Sequence, residues 1–70
     1  MADTLRPILQ PYKEVQYMPN SGLWEPIPED LRDLEIDEDH RYEVEGTRLV
    51  VRYLERHSLH WRVAGTYRLR

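Results

Sequence analysis

Residues 41–70 alternate apolar and polar side chains almost without interruption, and this constrains the fold more than any other feature. A period of two is the signature of strands with one face buried, so this half of the chain is predicted to form a β-meander. Tyr42 and Val44 share one face, Glu45-Gly46 makes a tight turn, and Leu49, Val51 and Tyr53 continue that face. A second turn around His57-Ser58-Leu59 leads into Trp61, Val63, Gly65, Tyr67 and Leu69, with Arg62, Ala64, Thr66, Arg68 and Arg70 on the opposite side. Matching apolar to apolar and acid to base sets Tyr42 opposite Leu49, Glu43 opposite Arg48 and Asp39 opposite Arg52. In the next pair it sets Leu49 opposite Tyr67, Arg48 opposite Arg68 and Tyr53 opposite Val63. Gly65 then falls opposite Val51, where a glycine inside a strand marks a bulge or a close backbone approach.

The N-terminal half is punctuated by proline. Pro7 and Pro11 interrupt the apolar Leu5, Ile8 and Leu9, so residues 1–11 are expected as an arm, in one turn or extended. Residues 12–70 then form a single small domain. Tyr12 to Met18 alternates as a strand, Pro19-Asn20-Ser21-Gly22 supplies turn chemistry, and Leu23 to Glu25 returns as a short second strand. Pro28-Glu29-Asp30 opens a helix of about two turns with Leu31 and Leu34 on one face, proline at its start and acids near the positive end of the dipole. The predicted class is α+β: an N-terminal hairpin, one short helix and a three-stranded antiparallel meander, in the order ββαβββ.

Charge is laid out as unevenly as hydropathy. Residues 1–40 carry a net charge of −7 and residues 41–70 a net charge of +4, giving −3 for the 70-residue chain. Segregated charge either pairs internally or selects a partner. A domain of this size buries only about 60% of its unfolded surface, so its core is marginal and has no room for a deep active site. No cysteine is present, which removes disulfides and thiolate zinc sites and favours a reducing, cytoplasmic setting. No long apolar run reads as a signal peptide or membrane span. So small a core also makes a homodimer or docking on a partner a plausible source of added stability.

Candidate sites follow from the two charged tracts. The acidic residues Glu29, Asp30, Asp33, Glu35, Asp37 and Asp39, with Trp24 as an anchor between a glycine turn and two prolines, form the expected partner-binding surface. An extended chain after Leu34 would put Glu35, Asp37 and Asp39 in a row that imitates a phosphate backbone. The expected partner is a larger protein with a basic surface. The competing assignment for these carboxylates is a helix start followed by a solvated loop. The arginines form the alternative: Arg56, Arg62, Arg68 and Arg70, with Arg48 and Arg52, on a sheet face that tracks nucleic acid. Against this stand the pairing of Arg48 and Arg52 with acids and the net negative charge. A third possibility is a structural subunit of a larger assembly.

No catalytic residue, metal site or cofactor is assigned. Asp33, Glu35 and Asp37 alternate, but the glycine turn and distal glutamate of an EF-hand loop are missing. His57 and His60 flank a turn without the further ligands a zinc site needs. Ser21 and Ser58 lie in predicted turns, and Ser58 beside His57 is not by that adjacency an activated nucleophile. The expected function is therefore a small non-catalytic protein-binding module. In size and composition the chain resembles small accessory proteins of phages and other mobile elements that block or redirect a host enzyme.

Overall fold

A computed structural model describes residues 3–70. The fold is α+β, and all of its strand pairing is antiparallel. In chain order the elements are β1 (Asp3–Thr4), α1 (Leu5–Leu9), β2 (Val15–Tyr17), β3 (Glu25–Pro26), α2 (Glu29–Arg32), β4 (Glu35–Ile36), β5 (His40–Glu45), β6 (Arg48–Glu55) and β7 (His60–Leu69). Strands β1 and β4 form a two-stranded ribbon. The other five form one sheet in the order β3-β2-β7-β6-β5. The expected ββαβββ order is thus present, with β1 and α1 ahead of it and β4 inserted after the helix.

The expected arm contributes to the core. Leu5 and Leu9 are fully buried, four residues apart and hence on one face of α1. Pro7 does not break this helix because it occupies the first turn, where backbone N–H groups have no intrahelical acceptor. Pro11 lies just beyond the C-cap Gln10. The two prolines bracket a single turn. The Leu5 amide donates to the Leu34 carbonyl at 3.0 Å, which fixes where α1 enters the fold.

Helix α2 is shorter than expected. Pro28 stands at its N-cap rather than at its first position, and Glu29 and Asp30 fill the first turn. The helix ends at Arg32 because its last amides tighten into three-residue closures, Asp33 to Asp30 and Leu34 to Leu31. Leu34 then gives its carbonyl to Leu5, and Glu35 pairs with Thr4. A better partner for the backbone has displaced the second turn.

In the meander the β5–β6 register differs from the expected one by two residues. Val44 lies opposite Leu49, Tyr42 opposite Val51 and Glu45 opposite Arg48. The turn is Gly46-Thr47, with Gly46 at φ +62, the glycine-first arrangement that suits a type II′ hairpin. The shift keeps every side chain on its expected face but changes its neighbour.

Between β6 and β7 the expected pairs hold from Arg48–Arg68 to Val51–Gly65, where the register breaks. Beyond that point Arg52 is opposite Val63, Tyr53 opposite Arg62 and Leu54 opposite Trp61. Ala64 is the extra residue of a bulge, so Tyr53 does not meet Val63. The bulge also exchanges the faces of everything before it. Trp61 and Val63, expected inside with Tyr67, lie on the other side of the sheet.

The buried core is Leu5, Leu9, Val15, Ile27, Leu49, Val51, Tyr67 and Leu69. Ile8, Tyr12, Tyr17, Leu31, Leu34 and Ile36 pack around it. All of it lies on one face of the five-stranded sheet, against α1 and the segment from Ile27 to Ile36. Among the described residues no element covers the opposite face.

Candidate functional site: an open sheet face of arginine and tryptophan

The uncovered face is built by strand parity. Leu49, Val51, Tyr67 and Leu69 point into the core, so Arg48, Val50, Arg52 and Leu54 of β6 and Thr66 and Arg68 of β7 point out. Arg41 and Glu43 join them from β5, opposite Arg52 and Val50. Gln16 joins from β2, opposite Arg68. The bulge adds Trp61 and Val63, the latter 56% exposed.

Two indoles organise the cations on this face. The Arg68 guanidinium lies 4.4 Å from the Trp24 ring centroid and that of Arg48 lies 5.7 Å from it. Arg41 stacks on Trp61 at 3.7 Å. The indole quadrupole attracts each cation without neutralising it, and a stacked guanidinium keeps its N–H edges free for an anion in its own plane. Among the described residues, Arg41, Arg48 and Arg68 form no ion pair with a carboxylate. Arg52 differs, because Glu43 lies 3.5 Å away. Glu43, Glu45, Gly46, Thr47, Arg48, Val50 and Arg52 line an open depression beside this cluster.

The sequence-predicted arginines are placed differently. Arg56 donates to Asp39, Arg62 to Glu55, and Arg70 lies 3.7 Å from Glu14. Only Arg68 of that set joins the stacked cluster. Arg48 and Arg52 are on the expected face, but the shifted register gives Glu43 to Arg52 and leaves Asp39 to Arg56. Arg41 and Trp61 were missed, and the signal for Trp61 lay in Gly65: a bulge there reverses the face of every earlier β7 residue.

Four of the acidic residues are engaged within the chain. Arg6 binds Asp33 through two nitrogens, at 2.8 and 3.2 Å, and also reaches the Glu29 carboxylate at 3.2 Å. Arg32 approaches Glu29 from the other side. Asp37 folds the chain into a turn, its Oδ1 2.7 Å from His40 Nδ1 and accepting from the Asp39 amide. That turn keeps Glu35, Asp37 and Asp39 from forming an extended row. Asp30 and Glu35 form no ion pair among the described residues. No three metal-ligating side chains gather among the described residues, and no described helix is long and apolar enough to cross a membrane.

These contacts set a pH dependence. Hydrogen bonding from Arg6 holds the Asp33 carboxyl below its ordinary 3.8, and the bonds from His40 and the Asp39 amide do the same for Asp37. On acidification the unfolded chain therefore takes up protons first, so stability present at neutral pH is lost as pH falls through and below that value. Asp33→Asn is expected to flatten the acid limb of a plot of melting temperature against pH between about pH 5 and pH 2, the range in which such carboxylates titrate. An acid limb unchanged by both Asp33→Asn and Asp37→Asn would contradict this assignment.

No protein-family model, no curated protein and no solved structure matches this chain.

Proposed function

We propose that the chain is a non-catalytic binding module that captures an acidic segment of a partner protein on its open sheet face. The observation that carries this is the stack of Arg48 and Arg68 about Trp24, with Arg41 on Trp61 as a second cation of the same kind. Tryptophan and arginine are among the side chains that most often dominate protein interfaces, and here Arg41, Arg48, Trp61 and Arg68 stand on strands of the sheet with Trp24 in the loop immediately before β3. Val50, Leu54 and Val63 supply apolar contact between the cations.

A carboxylate-bearing protein surface suits this face better than a nucleic-acid strand. Glu43 and Glu45 line the depression beside Arg48 and Arg52 and would repel a continuous phosphate backbone. The guanidinium groups also occupy ring surface on which bases would otherwise stack.

The test is a fluorescence titration, reading Trp24 and Trp61, with a peptide that mixes glutamates and leucines and with a single-stranded oligonucleotide of equal charge. The peptide is expected to bind more tightly. Arg68→Ala is expected to weaken it by roughly 2 kcal/mol, about thirtyfold in Kd. Tighter oligonucleotide binding with a steep salt dependence, or an unchanged peptide affinity in Arg68→Ala, would overturn the proposal.

A further inference from the structure

We propose that the β5 edge pairs with the same strand of a second copy, in antiparallel register about Tyr42, to join two five-stranded sheets into one. The two edges of the sheet are not alike. Strand β3 has two residues, one of them Pro26, and offers little to a neighbouring strand. Strand β5 has six residues with an unbroken register against β6 and no proline, and among the described residues no strand pairs with its far side.

The backbone of β5 has a defined outward set. Leu54 donates to the Asp39 carbonyl, so the pairs that exchange backbone hydrogen bonds toward β6 are Asp39–Leu54, Arg41–Arg52, Glu43–Val50 and Glu45–Arg48. The alternate residues His40, Tyr42 and Val44 therefore aim their peptide groups away from the sheet. His40 spends its N–H on the Asp37 carbonyl. Among the described residues nothing bonds the peptide groups of Tyr42 and Val44 on that side, which leaves them for a strand laid alongside. Their side chains are also unusually exposed for large apolar groups, 46% and 45%. Beside Tyr42, the residues Asp3, Thr4, Pro7, Ile8 and Ile36 line a partly apolar depression that α1 leaves uncovered.

Charge selects the occupant and the register. With Tyr42 opposite its own counterpart, Tyr42 exchanges both backbone bonds across the two-fold axis and each Val44 amide meets a His40 carbonyl. On the open face, Arg41 of each copy then lies opposite Glu43 of the other, an attractive pair made twice. Sliding the second copy by two residues puts Glu43 opposite Glu43 or Arg41 opposite Arg41. An edge bearing one sign of charge would repel its own copy, whereas this edge is complementary to itself. At the end of the seam Asp39 faces Glu45, but Asp39 is already bound by Arg56.

Sedimentation velocity from micromolar to millimolar protein tests the proposal. The wild type is expected to pass from monomer to dimer over that range, with amide exchange at Tyr42 and Val44 slowing as the dimer forms. Val44→Pro removes a donor that faces away from β6, so the monomer should fold unchanged while its dimer dissociation constant rises at least about tenfold. Glu43→Arg should weaken the dimer independently of any backbone effect, and Arg41→Glu combined with Glu43→Arg should restore it. A wild type that stays monomeric throughout, or a dimer indifferent to both Val44→Pro and Glu43→Arg, would overturn the pairing.

Discussion

Replacing Leu9 by alanine is expected to lower the melting temperature by at least about 10 °C, and the same exchange at Leu5 to do nearly as much. Each side chain is fully buried as one of eight core residues, so its loss removes both transfer free energy and packing that so small a domain cannot rebuild. Leucine-to-alanine changes at such sites cost about 2–5 kcal/mol. In a domain of this length each kcal/mol shifts the melting temperature by roughly 4–8 °C. Since total stabilities are only about 5–15 kcal/mol, the larger losses leave little folded protein at physiological temperature. Thermal denaturation followed by circular dichroism reads the effect directly. A shift of a degree or two would mean that α1 is an accessory turn and that the sheet folds without it.

Pro7 and Pro11 read as breakers that allow at most one turn, and α1 is that turn, with Pro7 in its first residues and Pro11 just past its C-cap. The 4-residue spacing of Leu5 and Leu9 was visible, but a helix of five residues has no period long enough to announce itself. Its stability is tertiary: Leu34 accepts from the Leu5 amide, and Arg6 grips Asp33 and Glu29. By contrast, β6 and the part of β7 from Gly65 to Leu69 were legible because alternation with one buried face leaves a single choice there, whereas the part of β7 before Ala64 has the opposite faces from those expected. The β5–β6 register was legible only to within two residues. A two-residue slip preserves every face, so hydropathy could not decide it, and the turn geometry at Gly46 did.

The open face was legible in part. Arg48 and Arg52 lie on β6, which carries no extra residue, and Arg68 follows Ala64 in β7, so parity runs straight from the core to all three. Arg41 and Trp61 depend on what the chain does elsewhere: the first on where β5 begins, the second on the bulge at Ala64. Charge pairing was harder still. Arg6 lies 27 residues from Asp33, and nothing local to either residue marks the other as its partner.

Gly65→Ala is the second substitution with a large expected effect, and its cause is a single neighbour. A β-carbon at position 65 would sit 2.8 Å from the Tyr67 hydroxyl and 3.0 to 3.1 Å from two of its ring carbons. Both residues point to the core face, so the tyrosine ring lies back over the glycine and covers the space that a side chain would take. The ring has little freedom to retreat, because Tyr67 is buried among Leu49, Val51 and Leu69. Overpacking of this kind costs about 1–3 kcal/mol, and the added strain falls next to the bulge that sends Trp61 to the open face. The origin of the penalty is separable by a double-mutant cycle. In a Tyr67→Leu background, where no ring crosses position 65, Gly65→Ala is expected to cost less than half as much, and the difference is the coupling between the two sites. An equal penalty in both backgrounds would place the requirement for glycine in the backbone of the bulge instead of in the ring above it.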